Sequence, residues 1–145
     1  MNQSDEETRL YRHILIPTDG SRLAHKAAVH GLSLAKAVGA RITALTVQPS
    51  FMSERVADSA KQSTAQAVLA LKAIADEAKA AGVQCETVQM THNTPHVAIL
   101  ATATDKGCDI IVMASHGQSG IVSKILGSVT AKVVAQAIVP VLVYH

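Results

Sequence analysis

Along this 145-residue chain the apolar positions switch repeatedly between two periods. Short β-branched runs over residues 13–18, 41–48, 83–90, 109–114 and 139–144 predict strands, and the longer stretches between them repeat at helical spacing. From 21 to 38, Ala24, Ala27, Ala28, Gly31, Leu34, Ala35 and Val38 mark one helix face, with Ser21 as N-cap and Gly39 as C-cap. The connection from Ser50 to Gly82 begins as a loop through Phe51-Met52-Ser53 and becomes an Ala-rich helix from about Ala57 or Ser59, capped by Gly82. Thr94-Pro95 has the N-cap and first-turn chemistry of a third helix, which runs to about Asp105 and is stopped by Gly107. Residues 123–137 read as the fourth. Strands alternating with helices predict a doubly wound α/β domain, a parallel sheet whose right-handed crossovers cover both faces.

The last strand is apolar on both faces through Val139, Val141, Leu142 and Val143. A bare edge of that kind is adhesive, and antiparallel pairing with the same strand of a second copy would close it through a two-fold interface.

Composition narrows the function. With 48% apolar residues the chain can bury a core without disulfides, and Cys85 and Cys108 have neither metal-ligand nor redox-pair spacing, so both read as buried thiols. Residues 1–10 read as a disordered tail and 11–145 as one domain. The first eight residues carry three acids and no base, unlike a secretory signal, and no apolar run approaches bilayer length, so a cytoplasmic protein with no membrane role is expected. The 13 basic and 11 acidic residues are scattered, and one Phe and two Tyr offer little for base stacking, which argues against polymeric nucleic acid as a partner.

The candidate chemistry sits at strand ends. The run from Asp109 to Ala114 is followed by Ser115-His116-Gly117, nine residues, and Gly127-Ser128-Val129-Thr130. Such a loop feeding a helix start gathers backbone N–H groups at the positive end of the helix dipole, and the hydroxyls of Ser128 and Thr130 add donors to a phosphate cradle. His116, inside this loop, either orients a phosphate or is simply exposed. Ser115 and His116 are expected to point apart, since neighbours in a loop usually do, and no activated nucleophile emerges. The first strand leads to Pro17-Thr18-Asp19-Gly20-Ser21, where Pro17 removes a ladder donor and marks where the strand leaves the sheet. Asp19 there either meets a base or sugar or caps the following helix. The chain has no G-x-x-x-x-G-K-[ST] run, and no G-x-G-x-x-G follows the first strand, which excludes the P-loop and dinucleotide fingerprints. Seven histidines form no local ligand pattern, so no protein-held metal is expected.

Taken together, Ile14 to Ser21, Ala44 to Val47, and Asp109 to Thr130 resemble the universal stress protein family across nearly the whole chain. Its nucleotide-binding branch carries G-x2-G-x9-G-[ST]; here Ala114, Gly117, Gly127 and Ser128 occupy the four positions. The resemblance implies an adenine nucleotide alpha hydrolase-like α/β fold with strand order 3-2-1-4-5, a homodimer through the last strand, and ATP, AMP or ADP at the switch between strands one and four. Carried over by position, Pro17, Thr18, Asp19 and Val47 would surround adenine, and Met113 and Ala114 would lie near the ribose. Gly117, Gly127, Ser128 and Val129 would hold the phosphates, with Thr130 nearby and Mg²⁺ or Mn²⁺ bridged by phosphate oxygens. The implied role is a nucleotide-dependent binder in the stress response, at most a slow ATPase, with an unnamed protein partner; the alternative is a nucleotide-free dimeric interaction module. Ala114 departs from the motif, and a positive φ there would cost about 1 kcal/mol. Asn93 stands where relatives often have glycine and is expected to tolerate left-handed geometry.

Overall fold

The computed structural model describes residues 8–50, 54–117 and 126–145, with side chains left aside over 54–60. Residues 1–7 of the expected tail and the loop through Phe51, Met52 and Ser53 lie outside the described residues, as do 118–125. Arg9, inside that expected tail, lies with its guanidinium beside Gly39.

Five strands form one sheet in the order β3-β2-β1-β4-β5, where β1 is His13–Pro17, β2 Arg41–Gln48, β3 Cys85–Thr91, β4 Ile110–Ala114 and β5 Val141–Tyr144. Every pairing is parallel. The helices are α1 (Arg22–Val38), α2 (Glu54–Ala80), α3 (Pro95–Lys106) and α4 (Ser128–Gln136). The doubly wound expectation and its strand order therefore hold. The fourth helix is shorter than its pattern predicts: Leu126 and Gly127 are not helical, and Gly127, at φ −58 and ψ 155, is the N-cap of a helix starting at Ser128. The rest of the predicted start, 123–125, lies outside the described residues.

Alternation along the strands divides the core into two layers. Ile14, Ile16, Ile42 and Val112 pack with Ala28 and Ala35 of α1 and with Leu71, Ile74 and Ala78 of α2. Leu15, Leu45, Ile111 and Met113 pack on the other face with Ile99 and Ala103 of α3 and Val133 of α4. The division follows from connection direction: β1 to β2 to β3 runs one way along the sheet and β3 to β4 to β5 the other, so crossovers of one hand place their helices on opposite faces.

The reversal leaves β1 and β4 neighbours whose chains depart in opposite directions. Their ladder has only two registered pairs, Ile14 with Ile110 and Leu15 with Ile111. Asp109 N–H donates to the His13 carbonyl at 2.9 Å, while Thr18 N–H donates to Leu45 at 2.8 Å. By the two-residue period Pro17 therefore faces β4, where it has no N–H to give. The strands part there, and a crevice opens at their carboxyl ends.

Small residues bring the helices close. A Cβ on Gly31 would stand 2.8 Å from Ile16 Cδ1, so α1 rests almost directly on β1. Gly20 has φ +81, and a Cβ there would stand 2.9 Å from the Ala67 backbone nitrogen of α2. Gly39, Gly82 and Gly107 end α1, α2 and α3 in left-handed geometry, as their spacing predicts. Cys108 is buried, and burial pushes its thiol up to about 11. Cys85 is only half-buried, because it starts an edge strand with one face toward solvent.

Gly20 and Gly82 separate two costs of a side chain. Gly82 also has positive φ but no atom within 4 Å of an added Cβ. Gly82→Ala should lose about 1 kcal/mol from backbone strain alone, and Gly20→Ala about 3 kcal/mol from strain plus collision with α2, read as shifts in urea unfolding midpoints. Equal losses would show that the Gly20–α2 contact carries no energy.

Candidate functional site

The crevice widens into a cavity of about 370 Å³, within the ordinary range for a small-molecule site. One wall is apolar. Pro17 ends β1, Leu45 and Val47 share a face of β2, Met113 lies on β4, and Pro95 and Ile99 stand one turn apart on α3. The opposite end is polar, with Thr18 and Asp19 after β1, His116 and Gly117 after β4, and Gly127, Ser128, Val129 and Thr130 at the start of α4. Ala24 and Ala114 complete the lining. The structure thus brings the eleven residues singled out in the sequence to one cavity, from Pro17 to Thr130. It also brings in His116, already noted in the glycine loop, and adds Ala24, Leu45, Pro95 and Ile99. Leu45 lies two residues before Val47, and Ile99 four after Pro95, so strand and helix periods held the signal for both.

The glycines are explained by what surrounds them. A Cβ on Gly117 would collide with the Asp19 carboxylate, and one on Gly127 would sit 3.2 Å from the Ser115 carbonyl oxygen. Both positions require the backbone itself to form the cavity surface. At Gly127 the first intrahelical bond is from Ala131 N–H to the Gly127 carbonyl, 2.9 Å. The N–H groups of Ser128, Val129 and Thr130 precede it, and no side chain at the N-cap bonds to them. They constitute the donor-rich, positive end of α4.

Asp19 lines the cavity and does not cap α1. Its Oδ1 accepts from Ser21 N–H at 2.9 Å, and its Oδ2 abuts Gly117. Ser21, not Asp19, caps α1, accepting from Ala24 N–H at 3.2 Å. Asp19 therefore spans the crevice between the β1 and β4 loops. Thr18 Oγ1 accepts from Gly20 N–H at 3.1 Å, fixing the same turn.

Three expectations are corrected. Thr130 does not present its hydroxyl to the cavity as a donor: buried at 4% exposure, Oγ1 donates its single proton to the Ala114 carbonyl at 2.8 Å. Ser115 and His116 do not point apart, since Ser115 Oγ lies 2.9 Å from His116 Nδ1. The bond forms because Ser115 is buried at the end of β4 and its hydroxyl needs a partner there. Left-handed geometry is needed at neither Ala114 nor Asn93, as no non-glycine among the described residues has positive φ. The Ala114 methyl packs with Ala24 and Ala27 of α1, and the Asn93 carboxamide oxygen accepts from Ser50 N–H at 3.0 Å and Ser50 Oγ at 2.7 Å. Thr94 marks the α3 N-cap without a side-chain bond, and its N–H donates to His92 Nδ1 at 2.8 Å.

Among the described residues no three His, Cys, Asp or Glu side chains converge as a metal site, and no helix is long and apolar enough to cross a membrane.

Residues 10–145 match the Universal stress protein family. Universal stress protein MJ0531 of Methanocaldococcus jannaschii is 34% identical over 143 residues, covering 92% of this chain and 82% of that protein. The solved structure of MJ0577, from the same organism, superposes with a TM-score of 0.77 at 28% identity over 93% of this chain and 96% of that one. A universal stress protein crystallised in complex with cAMP gives a TM-score of 0.73 at 27% identity, covering 93% and 97%.

Thr130→Val keeps the shape and removes the bond to Ala114. It should cost about 1–3 kcal/mol in urea denaturation, because a buried carbonyl loses its partner. An unchanged midpoint would mean that this bond does not hold α4 to β4.

Proposed function

We propose that this chain, which belongs to the universal stress protein family, binds an adenine nucleotide in the crevice between β1 and β4. The observation that carries this reading is the two-ended cavity, apolar from Pro17 to Met113 and lined at the other end by Gly117, Gly127 and the N-terminus of α4. An adenine ring fits the apolar wall of Pro17, Leu45, Val47 and Met113; the ribose falls beside Met113 and Ala114, and the phosphate meets the N–H groups of Ser128 and Val129. The cAMP complex of the 27%-identical structure supports an adenine nucleotide as ligand. Phosphates outside the α4 N-terminus would bring Mg²⁺ or Mn²⁺ with them, and the cation's ligands would be phosphate oxygens.

The nucleotide reading is favoured over a nucleotide-free module because the Ala114 methyl lies against α1 and leaves the cavity in place. A binder is favoured over a catalyst. Asp19 Oδ1 accepts from Ser21 and His116 Nδ1 is paired with Ser115, so one hydrogen-bonding atom of each is committed to fixing the loops rather than to activating water. Hydrolysis at most slow is expected of such a site.

The second element of the proposal is a homodimer through β5. Ile111 N–H donates to Pro140 and Ser115 N–H to the Tyr144 carbonyl, so even-numbered positions of β5 face β4 and the N–H groups of Val141 and Val143 face away from the sheet. Paired to the same edge of a second copy, those groups gain partners.

Denaturing the purified protein and chromatographing the supernatant should release an adenine nucleotide, and refolded protein should titrate with AMP, cAMP or ATP and Mg²⁺. Gly127→Val should lose binding at least about tenfold, since its side chain would press on the Ser115 carbonyl and displace the start of α4 from the end of β4. No binding at millimolar nucleotide would leave the nucleotide-free module standing. Val143→Pro removes one outward N–H while sparing the β4 ladder, and sedimentation should move from dimer to monomer with unchanged circular dichroism. A persistent dimer would place the interface elsewhere.

A further inference from the structure

His116 and Ser115 form a unit that the glycine motif does not account for. Ser115 is 2% exposed, and His116 Nδ1, at 2.9 Å, is the partner that the described residues bring to its hydroxyl. A buried O–H donates where an acceptor is within reach, and Nδ1 accepts only when the ring proton is on Nε2. The same ring lies with Cδ2, the carbon bonded to Nε2, 3.9 Å from the point where a Cβ on Gly127 would stand. The edge opposite Ser115 therefore borders the start of α4, where the backbone N–H groups gather, and His116 lines the cavity there.

We infer that Ser115 fixes His116 in the Nε2–H form, and that His116 thereby donates to the phosphate of the bound nucleotide and makes the site discriminate nucleotide from nucleoside. His116 is the binding group and Ser115 the positioning residue. This rests on the nucleotide reading above. The energetic logic is that the apolar wall treats adenosine and AMP alike, whereas a ring donor beside the α4 N-terminus interacts only with the ligand that carries an anion there.

The test compares AMP and adenosine by calorimetric titration of the full chain. His116→Phe should weaken AMP about tenfold and adenosine less than about twofold, and His116→Gln, whose carboxamide nitrogen stands where Nε2 does, should recover most of the AMP affinity. Ser115→Ala should weaken AMP by about threefold and leave adenosine essentially unchanged. Long-range ¹H–¹⁵N spectra of histidine-labelled protein provide a readout independent of ligand. They should show the Nε2–H form of His116 in the wild type and a mixture of tautomers in Ser115→Ala. An Nδ1–H form in the wild type, or equal losses for AMP and adenosine in His116→Phe, would overturn the inference while wild-type AMP binding stands. Wild-type protein that binds neither ligand would instead remove the nucleotide reading and this inference with it.

Discussion

The end of β4 is the point on which the site depends. Ser115 donates its N–H to Tyr144 of β5, accepts at its carbonyl from Gly127 N–H at 2.8 Å, and pairs its hydroxyl with His116. One residue earlier, the Ala114 carbonyl accepts from Thr130. Two consecutive residues thus tie the last strand, the start of α4 and the ring of His116 into one frame. Each bond is buried at Ser115 or Thr130, so breaking one leaves a polar atom without water to replace its partner. This is why the glycine spacing matters: Gly127 must reach within contact of Ser115, and a side chain on its Cα would push the strand end and the helix start apart.

The opposite wall is held by a different constraint, the absence of a donor at Pro17. A parallel sheet normally continues its ladder until a strand turns away, and β1 stops pairing with β4 after Leu15 and Ile111. The crevice is therefore a covalent consequence of the pyrrolidine ring as much as of the strand order. Asp19 then closes the far side of the gap, fixed by Ser21 through one oxygen and set against Gly117 through the other. Strands and helices together, rather than loops, thus position most of the lining, which suits recognition by shape.

Much of the fold was legible because it follows from local chemistry. Gly39, Gly82 and Gly107 each ended a helix where their spacing placed them, and Thr94-Pro95 opened α3. The start of α4 was misread for a physical reason. Its apolar period runs through Leu126 without interruption, and only the Gly127 bond to Ser115 breaks the helix there. At the site, Pro17, Thr18, Asp19 and the glycines were found from strand-end position and loop pattern, but Leu45, Pro95 and Ile99 belong to the wall only because α3 packs across β2.

By itself the sequence determined the alternation of strands and helices, the caps, the missing donor at Pro17 and the glycine spacing before α4. Those depend on residues a few positions apart, where backbone sterics and periodicity act directly. The tertiary structure alone decided where each hydroxyl proton goes. Thr130 gives its proton to Ala114, sixteen residues away, and Asn93 receives from Ser50, forty-three away. Such pairings depend on the register between separate elements, and composition leaves that register undetermined until the sheet has formed and the helices have settled on it.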